Sequence, residues 1–168
     1  MTPDFLPLKI SVLVVSDTRT LDTDESGALI EGMLRAAGHE VAERRVVTDD
    51  KDLIAAAVAE ESSGNGVNVI ILTGGTGVTR RDVTPEAVAP LLDKELPGFG
   101  EIFRWLSWEE IGASTIQSRA LAGVRSGTLI FCLPGSKGAC ALGMEQLILP
   151  QLDNRTKPCS FGGLMEKL

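Results

Sequence analysis

Histidine is almost missing from this chain: His39 is the single one among 168 residues. Imidazole is the side chain most suited to proton transfer and metal ligation near neutral pH. Its scarcity argues against histidine-based catalysis and against a multi-histidine metal centre. His39 follows Gly38, a residue suited to ending a helix, and is expected in a surface loop. Cysteine is sparse as well. Cys132, Cys140 and Cys159 form neither a C-x-x-C pair nor an even framework. That pattern predicts reduced thiols in a cytoplasmic protein, with Cys132, inside the apolar run LIFCL, in the core. No apolar run reaches the ~18 residues of a membrane span. Residues 1–9 hold no basic stretch leading into an apolar one, so no signal peptide is expected. Basic charge is in deficit: 16 Lys and Arg stand against 23 Asp and Glu, a net charge of −7. A nucleic-acid partner would call for the opposite balance.

The composition is otherwise that of a globular protein, 43% apolar and 23% charged. The length suits one domain over residues 1–168 with a sizeable core. No internal repeat, linker or second domain is evident. The core is expected over about residues 8–153, with residues 154–168 a polar tail.

Residues 8–15 (LKISVLVV) read as a buried strand. Leu29, Ile30, Met33, Leu34 and Ala37 then recur at helical spacing, stopped by Gly38. A second strand over 41–47, a helix led by Asp49 and Asp50, and a third strand over 67–72 complete βαβαβ. This pattern predicts a three-layer α/β/α sandwich with a mostly parallel sheet. Thr84 and Pro85 suit a helix start, and Pro90 makes that helix short. Pro97-Gly98 is a break. Phe99, Ile102, Phe103 and Leu106 share a helical face, with Trp105 and Trp108 pointing the other way. Residues 118–127 are a mixed segment. A strand over 128–133 leads to Pro134, Gly135 and Ser136, and residues 139–149 form the last clear helix.

The richest segment is 72–87, LTGGTGVTRRDVTPEA. It leaves the third strand, turns through Thr73, Gly74, Gly75, Thr76 and Gly77, passes Arg80, Arg81 and Asp82, and enters a helix. Glycines at the C-terminal end of a strand let backbone N–H groups approach an anion. That edge of an open α/β sheet is where ligands bind. The loop has neither the P-loop order nor the G-x-G-x-x-G order of a dinucleotide fold. Asp82 is the first candidate for a catalytic or metal-holding carboxylate; otherwise it serves the dipole of the helix that follows. Asp49 lies on the same edge if the sheet is parallel, and either it or Asp50 caps the second helix. Asp17 and Thr18 follow the first strand and either touch the ligand or fix their loop. Ser136 can meet an anion or cap the last helix, and Arg119 and Lys137 are candidate phosphate partners.

Six ordered segments resemble the molybdenum-cofactor biosynthesis family of molybdopterin-binding proteins, which includes molybdopterin adenylyltransferases. They are VSDTR at 15–19, TGGTG at 73–77, RDVTPEA at 81–87, PGFGE at 97–101, SRA at 118–120 and LPGS at 133–136. The resemblance covers about residues 8–153. The finer match, through SWEEIGASTIQSRALAG, TLIFCLPGSKGAC and PQLDNRTKPC, is to the family's B branch. Lys137 and Gly138 stand where the adenylyltransferase branch more usually has a second proline. The complete RDVTPEA points the other way, towards catalysis. The resemblance implies a ligand site made of Asp17, Thr18, Thr73, Gly74, Gly75, Thr76, Gly77, Ser118, Arg119, Pro134, Gly135 and Ser136. It also implies transfer of AMP from ATP to the molybdopterin phosphate, with Mg²⁺ held through Asp82 and Asp49. The implied alternative is a non-catalytic molybdopterin-binding or scaffold protein, alongside other enzymes of the pathway. An enzyme of another class acting on phosphate esters ranks below both. The family's assemblies imply a homo-oligomer, a trimer or a hexamer, which would cover Trp105 and Trp108.

Overall fold

The computed structural model describes residues 3–168; Met1 and Thr2, the start of the expected domain, lie outside the described residues. Six strands form one sheet in the order β2-β1-β3-β6-β5-β4. β1 (Lys9–Val15), β2 (Glu40–Val47), β3 (Val69–Thr73) and β6 (Thr128–Leu133) are parallel. β5 (Leu121–Arg125) and the short β4 (Lys94–Glu95) make the antiparallel edge. The expected α/β architecture is present, with the antiparallel edge added. The mixed segment 118–127 contains β5. Tertiary pairing decides that segment: Gly123 lies so close to Leu92 and Lys94 that no side chain would fit.

Helices cover both faces. α1 (Glu25–Ala36), α4 (Pro97–Ile111) and α5 (Lys137–Gly143) enclose one apolar cluster, centred on Ile10, Val12, Ile71, Phe103 and Phe131. α2 (Lys51–Glu61) and α3 (Thr84–Val88) enclose the other, with Leu13, Ile54, Ile70, Leu72 and Val88. Neighbouring residues of β1 and β3 feed opposite clusters, as the period of two along a strand requires. The strands are buried on both faces, which explains their continuous apolar runs.

Local chemistry sets most helix ends. Asp24 caps α1 by accepting from the Gly27 N–H at 2.8 Å, and Asp50 caps α2 by accepting from Asp52 and Leu53. α4 begins at Pro97, so the expected break is a helix start, where the missing N–H of proline costs nothing. Thr84 is not the cap of α3. It stands inside the helix, and its hydroxyl donates to the Gly74 carbonyl at 2.8 Å. The expected last helix is divided: α5 is followed by a π turn, Met144–Ile148, and then by α6 (Leu149–Leu152). Pro150 contributes to this change of winding, because it has no N–H to extend the α-helical ladder.

Three other expectations change. Ile102 is exposed with Trp105 and Trp108, while Gly100, Phe103 and Ser107 form the buried face of α4. The polar tail folds back: Ser160 is buried, Phe161 packs near Phe131, and Asn154 exchanges hydrogen bonds with Leu6 and Asp4. His39 is buried rather than in an exposed loop, and its Nδ1 accepts from the Leu8 N–H at 3.2 Å. Phe5 packs on its ring. Glycine-ended helices usually release the chain to solvent, but here the next strand starts at once and draws His39 under the N-terminal arm. Cys132 is buried, as expected.

Burial pulls the His39 imidazole below its ordinary pKa, against the charge of Asp153. The unfolded chain therefore binds a proton before the folded one does. The stability due to neutral His39 is complete above the unfolded value, about 6.5, and declines as pH falls towards the folded value. The melting temperature is expected to fall as pH drops below about 6.5, and His39→Leu to flatten this limb. An equal slope in the variant would show that His39 does not contribute.

Candidate functional site

The parallel strands β1, β3 and β6 end side by side at Val15, Thr73 and Leu133. Their onward connections diverge: α1 follows β1 on one face, and α3 follows β3 on the other. This divergence opens a crevice at the carboxyl ends of the strands. A cavity of about 1080 Å³ fills it.

The floor of the cavity is made of two packed turns. In the first, Gly74 has φ +105° and Gly75 has φ +70°. The Gly74 N–H donates to the Leu133 carbonyl at 3.0 Å, so the glycine turn is tied to the strand beside it. In the second, Pro134, Gly135 and Ser136 lead into α5. The Thr73 hydroxyl donates to the Pro134 carbonyl at 2.9 Å, and Ser26 donates to that of Gly135 at 2.8 Å. A Cβ at Gly135 would stand 3.4 Å from the Gly74 Cα, so the turns touch. Ser136 caps α5 by accepting from the Ala139 N–H and also lines the cavity.

One wall carries the carboxylates. Asp82 closes a tight loop, its Oδ2 accepting from the Thr79 N–H at 2.8 Å and from the Thr79 hydroxyl at 2.7 Å. Gly77 lies against it, where a Cβ would come within 2.8 Å of Oδ2. Partial burial opposes ionisation of Asp82. The hydrogen bonds from Thr79 and Gly77 and the charge of Arg119 outweigh it and hold the pKa below the usual carboxylate range. Asp49 behaves oppositely: burial and then the Asp82 charge push its pKa up. Asp49 and Asp50 have separate positions, since Asp50 caps α2 while Asp49 lines the cavity. Asp17 accepts from the Asp49 N–H at 3.0 Å and pairs with Arg81.

The Asp82 charge raises the proton affinity of Asp49, an arrangement that suits a shared cation. Among the described residues, no three or more His, Cys, Asp or Glu side chains converge to enclose a metal. Mg²⁺ commonly takes one or two carboxylates and fills its shell with water and phosphate oxygens, and Asp49 and Asp82 are the cavity carboxylates able to hold it in that way. They do not form a closed structural metal site.

Thirteen predicted positions line the cavity: Asp17, Thr18, Asp49, Thr73, Gly74, Gly75, Thr76, Gly77, Asp82, Ser118, Pro134, Gly135 and Ser136. Arg119 is not on that wall and points behind the glycine loop. The sequence reading missed the opposite wall, built by Ser26, Phe103, Ser107, Ile111, Ser114 and Gln117. One signal was available: Ser107 falls one turn after Phe103 on the face that otherwise packs inward. Arg19 and Lys137 bring positive charge to the rim.

Residues 11–154 match the family model described as "Probable molybdopterin binding domain". The chain belongs to this molybdenum-cofactor biosynthesis family. Molybdenum cofactor biosynthesis protein B of Escherichia coli (strain K12) is 46% identical over 167 residues, 99% of this chain and 98% of that protein. A crystal structure of a molybdenum cofactor biosynthesis protein B superposes with TM-score 0.88 at 43% identity, covering 96% of each chain. A MogA structure superposes with TM-score 0.79 at 29% identity, covering 95% of this chain and 98% of that one. The family's model spans every segment of the cavity wall, from β1 to α5. No described helix is long and apolar enough to cross a membrane.

Proposed function

We propose that this family member binds molybdopterin in the cavity and adenylylates its phosphate with Mg-ATP, releasing pyrophosphate. The observation that carries the reading is the placement of the Asp82 and Asp49 carboxylates in one cavity beside a glycine turn. The cavity, about 1080 Å³, is at the upper end of the ~300–1,000 Å³ usual for small-molecule and cofactor pockets.

The reaction joins a molybdopterin phosphate oxygen to the α-phosphorus of ATP and breaks the bond to the β-phosphate. The Gly75 and Thr76 backbone N–H groups hold phosphate oxygens, the Gly74 and Gly77 N–H groups being engaged by Leu133 and Asp82, and Arg19 and Lys137 draw the anions in. Asp17 fixes the Asp49 backbone. Ser118 and Ser136 offer hydroxyls to the same ligands, and Phe103 and Ile111 give an apolar wall. When bound by Asp49 and Asp82, Mg²⁺ would supply charge neutralisation along the triphosphate.

The test is pyrophosphate release from Mg-ATP, with and without molybdopterin, for the wild type and Asp82→Asn. Release that needs molybdopterin and collapses in the variant supports transfer. A folded wild type that binds molybdopterin and releases none is a binding or scaffold protein. That second reading is favoured by one observation: the B protein structure is more similar to this chain than the MogA structure is.

The wider reading is one domain over residues 1–168, acting in the cytoplasm among other molybdenum-cofactor enzymes. It works as a homo-oligomer, a trimer or a hexamer. Trp105 and Trp108 are 67% and 55% exposed on α4, with Ile102 beside them. Aromatics of this size are favoured at interface centres. Trp105→Ala with Trp108→Ala is expected to lower the sedimenting mass. An unchanged mass would remove this surface from the assembly.

A further inference from the structure

Arg119 was expected at a ligand phosphate, yet its guanidinium is committed elsewhere. Nε donates to the Gly77 carbonyl at 2.8 Å, and Nη2 donates to the Asp82 carbonyl at 2.8 Å. Nη1 and Nη2 together hold the Glu86 carboxylate on α3. The Arg119 N–H donates to the Thr76 carbonyl at 3.1 Å. Neither Arg119 nor Glu86 lines the cavity, whereas Thr76, Gly77 and Asp82 all do.

We propose that Arg119 is a positioning residue that sets where the Asp82 carboxylate stands, and not a contact for the ligand's phosphate. Gly77 and Asp82 mark the two ends of the loop 77–82, and one planar fork holds both carbonyls at a fixed separation. Glu86 holds the fork itself to the first turn of α3. Within the loop, Thr79 and Asp82 bond each other in both directions, the Asp82 N–H donating to the Thr79 carbonyl at 3.1 Å. That local turn orients the carboxylate, and the clamp, alongside the Gly77 bond to the Asp82 carboxylate and the Arg81 pair with Asp17, relates the turn to the glycine loop and the rest of the cavity. A lysine ammonium is a point charge on a flexible stem and cannot hold two diverging carbonyls and a carboxylate in one plane. The inference rests on the proposed function, which assigns Asp82 to the transfer step.

The experiment compares wild type with Arg119→Lys, Arg119→Gln and Glu86→Gln, each checked for a wild-type circular dichroism spectrum. Three readouts are taken: the molybdopterin dissociation constant, the kcat and KM of pyrophosphate release, and hydrogen exchange at the Thr79 amide. A positioning role predicts molybdopterin affinity within about twofold of wild type. It predicts a kcat lower by about tenfold or more in both Arg119 variants, since a misplacement of the reacting group carries a cost of this order. Thr79 exchange is expected to accelerate. Glu86→Gln, which leaves both carbonyl contacts in place, should give a smaller change of the same kind. An about tenfold or greater loss of molybdopterin affinity in Arg119→Gln, with Thr79 exchange unchanged, would identify a phosphate contact and overturn the proposal. If Arg119→Gln fails to fold, Arg119→Lys and Glu86→Gln decide the matter. Should the wild type release no pyrophosphate, the adenylylation reading fails by itself. The affinity and exchange readouts still separate a clamp from a phosphate contact.

Discussion

Gly74→Ala is expected to destabilise the protein by roughly 2–5 kcal/mol and to abolish molybdopterin binding. Two costs combine. The φ of +105° lies in a region that L side chains rarely adopt. The new Cβ would also stand 2.3 Å from the Val15 carbonyl oxygen. Neither partner can yield easily. Val15 ends β1 paired to Val47, and both peptide groups of Gly74 are engaged, its N–H by Leu133 and its carbonyl by the Thr84 hydroxyl. Relief would have to come from shifting β1 against β3, which moves the cavity floor. Gly138→Ala is the control. No heavy atom lies within 4 Å of its added Cβ, and the residue stands inside α5. Alanine there is expected to stabilise by about 0.5–1 kcal/mol at most. Urea unfolding of the two variants checks the contrast. Equal midpoints for Gly74→Ala and wild type would show that the turn relaxes freely.

Asp82→Asn is expected to reduce molybdopterin-dependent pyrophosphate release by about 10²–10³-fold, the loss typical of removing one preorganised electrostatic group. The substitution keeps the size of the side chain and an acceptor for Thr79, so the fold should change by about 1 kcal/mol or less. It removes the charge. Two consequences separate this charge from a merely structural role. The Mg²⁺ concentration for half-maximal rate should rise in Asp82→Asn, because one of two anionic ligands is gone. Molybdopterin affinity should hold, because the glycine turn is intact. Asp49→Asn should impair Mg²⁺ dependence in the same direction, whereas Asp50→Asn should leave it unchanged, since Asp50 is engaged with the N-terminus of α2. Full activity in Asp82→Asn would remove the residue from the transfer step.

The site's near wall was readable because its parts are local. A glycine turn after an apolar run, an aspartate before a Thr-Pro helix start, and an LPG turn each announce themselves within a few residues. Once the order βαβαβ implied a parallel sheet, strand ends had to share one edge, and Asp17, Asp49, Gly74 and Ser136 followed together. The misses share a different cause. The choice between Asp49 and Asp50, left open by sequence because both side chains are able to cap, is made by the structure, in which Asp50 caps α2 and Asp49 lines the cavity. His39 is buried by an arm from residues 3–8 and a tail beyond Leu152, neither of which the surrounding sequence reveals. Arg119 carries a motif expected to meet a ligand, yet its partners, Gly77, Asp82 and Glu86, lie 42, 37 and 33 residues away.

Sequence by itself determined the βαβαβ order of the first half, the parallel core and the glycine turn. Apolar runs, caps and glycine positions act over a few neighbours and carry their physics wherever they stand. Tertiary structure alone decided the antiparallel β5, the far wall from α4, the separate positions of Asp49 and Asp50, and the direction of Arg119. Each of these depends on which distant backbone carbonyl or carboxylate is within reach of a given side chain. Packing of the whole chain supplies that information, and no local pattern encodes it.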